Sequence, residues 1–318
     1  MSSSGNLPRI GIVMDPIAHI NPQKDSTLAM MLGAQDLGAS LFYMEQDDLF
    51  LKDGAAYGAA RPVSVFDSAA KWFETGAPAV MPLGELDVIL MRKDPPVDKR
   101  FIHACAMLEQ AQRDGARVVN NPAALIKYNE KIFATHFPQF CPPYVVASSL
   151  EALRAFRAEH EAIILKPLDA MGGQGVFFIG KDDVNFEVVW ETLSSRGTYP
   201  IEAQAFIPEI SKGDKRVIVF GGEPFGHTLA RLPKAGSIRG NLAAGGSYEV
   251  QPLTEREREI ATAVGKRLVK EGIMFAGLDV IGGYLTEINI TSPTCLRQIS
   301  AGTGVDLGRM AMERILKI

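Results

Sequence analysis

Cysteine is scarce in this chain. The three residues, Cys105, Cys141 and Cys295, are odd in number and far apart. They form neither a disulfide framework nor a zinc site, and a reducing cytoplasm suits them. Histidine is equally thin: the 5 residues are scattered and make no HExxH pair. There is no Gly-x-Ser-x-Gly elbow and no Cys/His pair of known spacing, so covalent catalysis by the protein is unsupported. No apolar run reaches the ~18 residues of a membrane span, and the opening Met1-Ser-Ser-Ser-Gly-Asn6 lacks the pattern of a secretion signal. A formal net charge of -4 gives no basic field for nucleic acid. No Gly-x-Gly-x-x-Gly follows the first strand, which argues against a dinucleotide dehydrogenase.

What is present is enough chain, 318 residues, for two or three domains with ample cores. Strands are expected at 9–15, 41–44, 87–92 and 117–120, with helices at about 25–37 and 98–113. Alternation of this kind implies an open parallel sheet that ends near Asn121-Pro122. A helix over about 123–137 follows, then strands at 144–147 and 162–167 with a helix at about 150–159 between them. The glycine-rich stretch 169–175 leads into a strand at 176–179, and another strand covers 201–207. A hairpin is expected around Gly221 and Gly222. Residues 233–247 read as a long loop, which is usually mobile or functional. Thr254 and Glu257 make a capping box for a helix to about 271, and a last helix covers about 307–316.

Chemistry concentrates in Gly277-Leu-Asp-Val-Ile-Gly-Gly-Tyr-Leu-Thr-Glu-Ile-Asn-Ile-Thr-Ser-Pro293. Glu287 and Asn289, two apart on a strand, point to one side, and a turn at Gly282 and Gly283 brings Asp279 beside them. Hard oxygen ligands with an open side suit Mg²⁺ shared with substrate phosphates. The apolar flanks imply burial, where clustered carboxylates need a cation or partners. Gly172, Gly173 and Gly175 lie between two strands, which argues against a P-loop; a flap over phosphates and an ordinary hairpin are both open. Lys166, in an apolar strand, reads as a phosphate binder or a snorkelling edge lysine. Lys131, beside Glu130, reads on its own as a solvated surface residue. Arg216 and Arg231 sit among apolar neighbours and need anionic partners, whether a substrate or ordinary salt bridges.

Taken in order, seven blocks resemble the bacterial glutathione synthetases of the ATP-grasp superfamily. They are Asp15-Pro-Ile-Ala-His-Ile-Asn-Pro-Gln-Lys-Asp-Ser26, Met91-Arg-Lys-Asp-Pro-Pro96, Asn129-Glu-Lys131, Lys166-Pro-Leu-Asp-Ala-Met-Gly-Gly173, Gly213-Asp-Lys-Arg216, Arg239-Gly-Asn-Leu-Ala-Ala-Gly-Gly246 and Leu285-Thr-Glu-Ile-Asn-Ile-Thr-Ser-Pro-Thr294. The resemblance implies an α/β ATP-grasp fold. Its units would be an amino-terminal Rossmann-like open parallel-sheet domain over 1–122, a lid region over 123–207 and a catalytic domain over 208–318. It implies ligation of γ-glutamylcysteine to glycine, driven by ATP with Mg²⁺ or Mn²⁺, in a cytoplasmic homotetramer. Asp279, Glu287 and Asn289 would hold the metal. Lys131 and Lys166 would grip the ATP phosphates under the Gly172, Gly173 and Gly175 flap. Gln204, Ala205, Phe206 and Ile207 would meet the adenine, and Glu209 or Asp214 the ribose. Arg216, Arg231 and Arg239 would be catalytic. Asp15, Ser26, Arg92, Asn289, Ser292, Pro293 and Thr294 would contact the dipeptide and glycine.

Overall fold

The computed structural model describes residues 7–317 except 235, 237–239 and 241–245. Three sheets follow one another along the chain. The first holds β1 (Arg9–Val13), β2 (Ser40–Met44), β3 (Leu49–Lys52), β4 (Ala55–Val65), β5 (Phe73–Thr75), β6 (Ala79–Pro82), β7 (Val88–Met91) and β8 (Arg117–Val119). Its order is β3-β4-β2-β1-β7-β8, with β5 and β6 both pairing with β4. The parallel core β2-β1-β7-β8 is the open sheet expected from alternation. The strands β3 to β6 add an antiparallel extension beyond it.

Helix α1 (Ser26–Asp36) starts at Asp25, whose side chain accepts a hydrogen bond from the Leu28 amide. Helix α2 (Lys99–Arg113) is capped by Asp98 in the same way. The single helix expected over 123–137 is two short ones, α3 (Pro122–Lys127) and α4 (Glu130–Ala134). The break has a local cause. Tyr128 is extended, and the Asn129 side chain caps a fresh start by accepting from the Lys131 and Ile132 amides.

The second sheet, order β11-β10-β12-β9, consists of β9 (Tyr144–Ala147), β10 (Ala162–Pro167), β11 (Phe177–Gly180) and β12 (Ile201–Ala205). With α5 (Leu150–Ala158) and α6 (Phe186–Ser194) it closes a small core around Leu153, Ile163, Leu165 and Phe186. The third sheet, order β15-β14-β13-β16-β17, is antiparallel: β13 (Asp214–Phe220), β14 (Glu223–Leu232), β15 (Ser247–Pro252), β16 (Phe275–Ile281) and β17 (Tyr284–Asn289). Helix α7 (Glu255–Lys270) carries the expected capping box of Thr254 and Glu257.

Helices α8 (Leu296–Thr303) and α9 (Leu307–Leu316) return to the first sheet. One hydrophobic cluster joins Ile10, Leu28 and Met31 to Leu307, Met312 and Ile315; another joins Ile89 and Phe101 to Val217 and Leu278. The first and third sheets therefore share cores, whereas the second keeps its own. Where α1 meets α9, a Cβ on Gly33 would stand 2.4 Å from the Arg309 amide nitrogen, so only glycine permits the backbone approach. Asn120, just past β8, ties the seam: it donates to the Phe275 and Ile290 carbonyls and accepts from the Met274 and Phe275 amides.

Candidate active site

The three sheets meet around a cavity of about 470 Å³. Its floor is the third sheet. The turn at Gly282 and Gly283 places Asp279 opposite Glu287, and Gly277 opposite Asn289. Glu287 and Asn289 share a face as their spacing requires, and the Asn289 amide donates to Asp279 Oδ2 at 3.2 Å.

Asp279 belongs to a chain of alternating charges. Arg216, its partner across the β13–β16 register, donates from Nε to Oδ1 at 2.6 Å and from Nη2 to Oδ2 at 3.1 Å. Arg231 Nη2 lies 2.9 Å from Asp279 Oδ1 and 2.6 Å from Asp214 Oδ2. Burial disfavours the charge on Asp279, but the two guanidinium groups outweigh it and hold the carboxyl well below its usual range. Asp214 meets one arginine directly, and burial pushes it up to about 6. The cluster has no net charge, which is how four ionised side chains tolerate a core position.

The opposite wall carries the lysines. Lys131 on α4 is buried, not solvated. Its Nζ lies 3.0 Å from Glu287 Oε1 and donates to the Ala170 carbonyl at 2.8 Å. Burial works against its charge, but Glu287 and Glu130 outweigh that and raise its pKa. Lys166 on β10 lies 3.2 Å from Glu202 Oε2 and donates to Gln204 Oε1 at 2.9 Å. The glycine stretch joins β10 to β11, a strand-to-strand loop as expected, and Gly172 and Gly173 face the cavity. Positive φ at Gly172, Gly173 and Gly175 allows this loop its tight course.

Gln204, Phe206, Ile207, Asp214, Arg216 and Arg231 also line the cavity, as do Ser292 and Thr294. Gly175, Ala205 and Glu209 lie beside the wall and not on it. So do four residues expected at the dipeptide, which bind each other's elements. Asp15 pairs with Lys93 at 2.8 Å and accepts from the Asp94 amide. Ser26 accepts from the Leu296 amide. Arg92, buried and lowered to about 10 by that burial, donates to Thr27 Oγ1 and to the Pro293 carbonyl while lying over the Phe275 ring. Arg239 lies outside the described residues.

Two acids on the wall or behind it had no signal in the sequence. Glu130 accepts from the Ile290 and Thr291 amides and the Thr291 hydroxyl, pinning α4 to the end of β17. Burial and the neighbouring Glu287 push its carboxyl upward. Glu202 is paired with Lys166 across two strands that are far apart in sequence.

The donor set fits a hard divalent cation. Asp279, Glu287 and Asn289 line one face of the cavity, where the Glu287 side chain keeps 23% exposure, while both Asp279 oxygens already meet Arg216, Arg231 or the Asn289 amide. Among the described residues no group of three His, Cys, Asp or Glu gathers to hold a metal, and this site joins two carboxylates to the Asn289 amide.

The fold recurs in solved structures of low sequence identity. A D-cycloserine synthetase superposes with a TM-score of 0.69 at 13% identity, covering 97% of this chain and 99% of its own. The ATP-grasp ligase PsnB does so with a TM-score of 0.61 at 15% identity, covering 98% of each. By fold, this is an ATP-grasp protein. Sequence comparison narrows the class. The model of the prokaryotic glutathione synthetase amino-terminal domain matches residues 9–125, and that of the family's ATP-grasp domain matches residues 130–304. Glutathione synthetase of Pseudomonas aeruginosa is 54% identical over 307 residues, 96% of this chain and 97% of that protein. The Shewanella oneidensis enzyme is 50% identical over 307 residues, 96% of this chain and 98% of that protein. The chain belongs to the prokaryotic glutathione synthetase family.

Proposed function

We infer that this protein is an ATP-dependent carboxylate–amine ligase that joins γ-glutamylcysteine to glycine, releasing ADP and phosphate. The observation that carries the inference is convergence. Two buried lysines, two buried arginines and an oxygen-ligand set face one cavity of about 470 Å³.

The cysteinyl carboxylate is a poor electrophile. Its attack on the γ-phosphorus of ATP breaks the bond to ADP and gives an acyl phosphate. The glycine amine then attacks the acyl carbon, loses a proton, and phosphate leaves as the amide forms. Mg²⁺, held by Asp279, Glu287 and Asn289, neutralises phosphate charge when bound. Lys131 and Lys166 orient the phosphates, and the Gly172, Gly173 and Gly175 flap covers them. Gln204, Ala205, Phe206 and Ile207 take the adenine side, with Glu209 or Asp214 toward the ribose. Arg216 and Arg231 stabilise the transferring phosphoryl group and the oxyanion, and Arg239 is assigned to the same task. Ser292, Thr294 and Asn289 meet the acceptor end, while Asp15, Ser26, Arg92 and Pro293 shape the dipeptide side. We assign the same three working units, 1–122, 123–207 and 208–318, to dipeptide binding, lid and catalysis. No helix among the described residues is long and apolar enough to cross a membrane. We place the enzyme in the cytoplasm as a homotetramer, a state that sedimentation would test.

The experiment is phosphate release from MgATP with γ-glutamylcysteine, with and without glycine, while glutathione is followed by mass spectrometry. Release that requires both substrates and matches tripeptide is expected. Release only with other amino-acid acceptors would overturn the substrate assignment and keep the ATP-grasp chemistry.

A further inference from the structure

Glu202 has no task in the reaction above, yet it is 4% exposed and stands beside the phosphate-binding lysines. It lies on β12 directly opposite Lys166 on β10, and Gln204, two residues on, shares its face. Its Oε2 is 3.2 Å from the Lys166 ammonium. Lys131 is close enough for its charge to act on Glu202 as well. Each lysine thus has a resident carboxylate, Glu287 for Lys131 and Glu202 for Lys166. Glu287 has a second use as a metal ligand. Glu202 has none, and once phosphates arrive it is an anion placed against anions.

Both halves of that situation have energetic consequences. A buried ammonium without a counter-ion is costly, so Glu202 stabilises the empty site. A carboxylate that already neutralises the ammonium weakens what the same ammonium offers to phosphate, because like charges in a low-dielectric site repel. We propose that Glu202 is a stand-in counter-ion that pairs with and orients the Lys166 ammonium in the empty site and, by competing with the phosphates for that ammonium, lowers nucleotide affinity so that ADP can leave. The proposal rests on Lys166 as a phosphate binder. It makes Glu202 a positioning and affinity-setting residue, not a catalytic one.

The direction of the effect separates this role from a structural one. A residue that only supports the fold weakens binding when it is changed. Removing the charge of Glu202 while keeping its shape does the opposite: the phosphates become the main counter-ion, so the nucleotide-bound state gains relative to the empty one.

The test is calorimetric titration of the full-length enzyme with MgADP, together with its melting temperature with and without MgADP. Glu202→Gln should bind MgADP about five- to tenfold more tightly than the parent. It should melt lower when empty and show a larger nucleotide-induced rise. Glu202→Asp, which withdraws the carboxylate by one methylene, should show the same sign at about two- to threefold, and it keeps the test open if the glutamine variant does not fold. In a Lys166→Met background the effect of Glu202→Gln should vanish. Affinity that is unchanged or weaker in both Glu202 variants overturns the proposal while leaving Lys166 as a phosphate binder. A Lys166→Met enzyme that binds MgADP like the parent overturns the phosphate reading of Lys166, and the proposal with it.

Discussion

The first and third sheets solve the problem of presenting polar groups from a core in opposite ways. In the parallel centre of the first sheet the strand interiors are apolar: Ile10, Ile12, Ile89 and Leu90 are buried with no charge among them. Its polar groups sit beyond the carboxyl ends of strands, at Asp15 after β1 and Arg92 after β7, where an open α/β sheet opens its crevice. In the third sheet the charges lie within the strands, Asp214 and Arg216 on β13, Arg231 on β14 and Asp279 on β16. Antiparallel pairing sets them opposite one another on a single face, so each charge meets its complement. Loops can diverge around the first arrangement without loss of the core. The second makes the chemistry and the core one object.

The sharpest way to break that union is Asp279→Ala. It strips Arg216 and Arg231 of a shared partner, and should cost about 3–5 kcal/mol of stability along with a hundredfold to thousandfold loss of kcat. Urea denaturation and steady-state kinetics would show both losses together; a stable, inactive variant would separate chemistry from core after all. Asn120→Ala acts where the two sheets meet. It leaves two carbonyls and two amides without their side-chain partner, and about 3 kcal/mol should be lost on denaturation, whereas a loss below 1 kcal/mol would show that the brace is redundant.

Cys105 probes the apolar side of the contrast. It is fully buried on α2, and burial pushes its thiol up to about 12. In the unfolded chain the thiol ionises near pH 8.5. The unfolded state therefore loses its proton first, and stability falls as pH rises from about 8.5 toward 12. By pH 10 the share of Cys105 in that drop should be about 2 kcal/mol, and Cys105→Ala should remove it, leaving the share of Cys141, whose thiol burial pushes up to about 11. An identical alkaline slope in the two proteins would remove Cys105 as its source. The smallest effect belongs to the surface: Lys71→Ala, which removes an exposed pair with Glu74, should change stability by less than about 0.5 kcal/mol.

What could be read beforehand follows the range of the interaction. Asp279, Glu287 and Asn289 were legible because a period-two strand and a glycine turn are local facts. The capping box of Thr254 and Glu257 and the parallel strands were legible for the same reason. Lys131 was not, since its burial comes from α4 packing on β17, and a lysine next to a glutamate carries no trace of that. Only the resemblance drew it into the site. Strand β4, on which β3, β5 and β6 all pair, escaped because Ala55-Ala-Tyr-Gly-Ala-Ala-Arg-Pro62 has neither the β-branched content nor the alternation of a strand. The break between α3 and α4 hung on one side chain, Asn129, choosing to cap. Glu202 was hidden because its meaning depends on cross-strand register, which the local sequence does not encode.

Helix α9 lies against α1, with Gly33 and Gly308 allowing backbones to touch, and the Arg117 side chain reaches the Ile315 carbonyl. On the ribosome, α1 and the strands it covers emerge early, and the helix that completes their core emerges almost a full chain length later. Until then Leu28, Met31 and Ala34 have part of their packing surface open. Completion of the first unit's core therefore waits until α9 has been made, and a ribosome stalled short of α9 would hold out a chain with that apolar surface still uncovered.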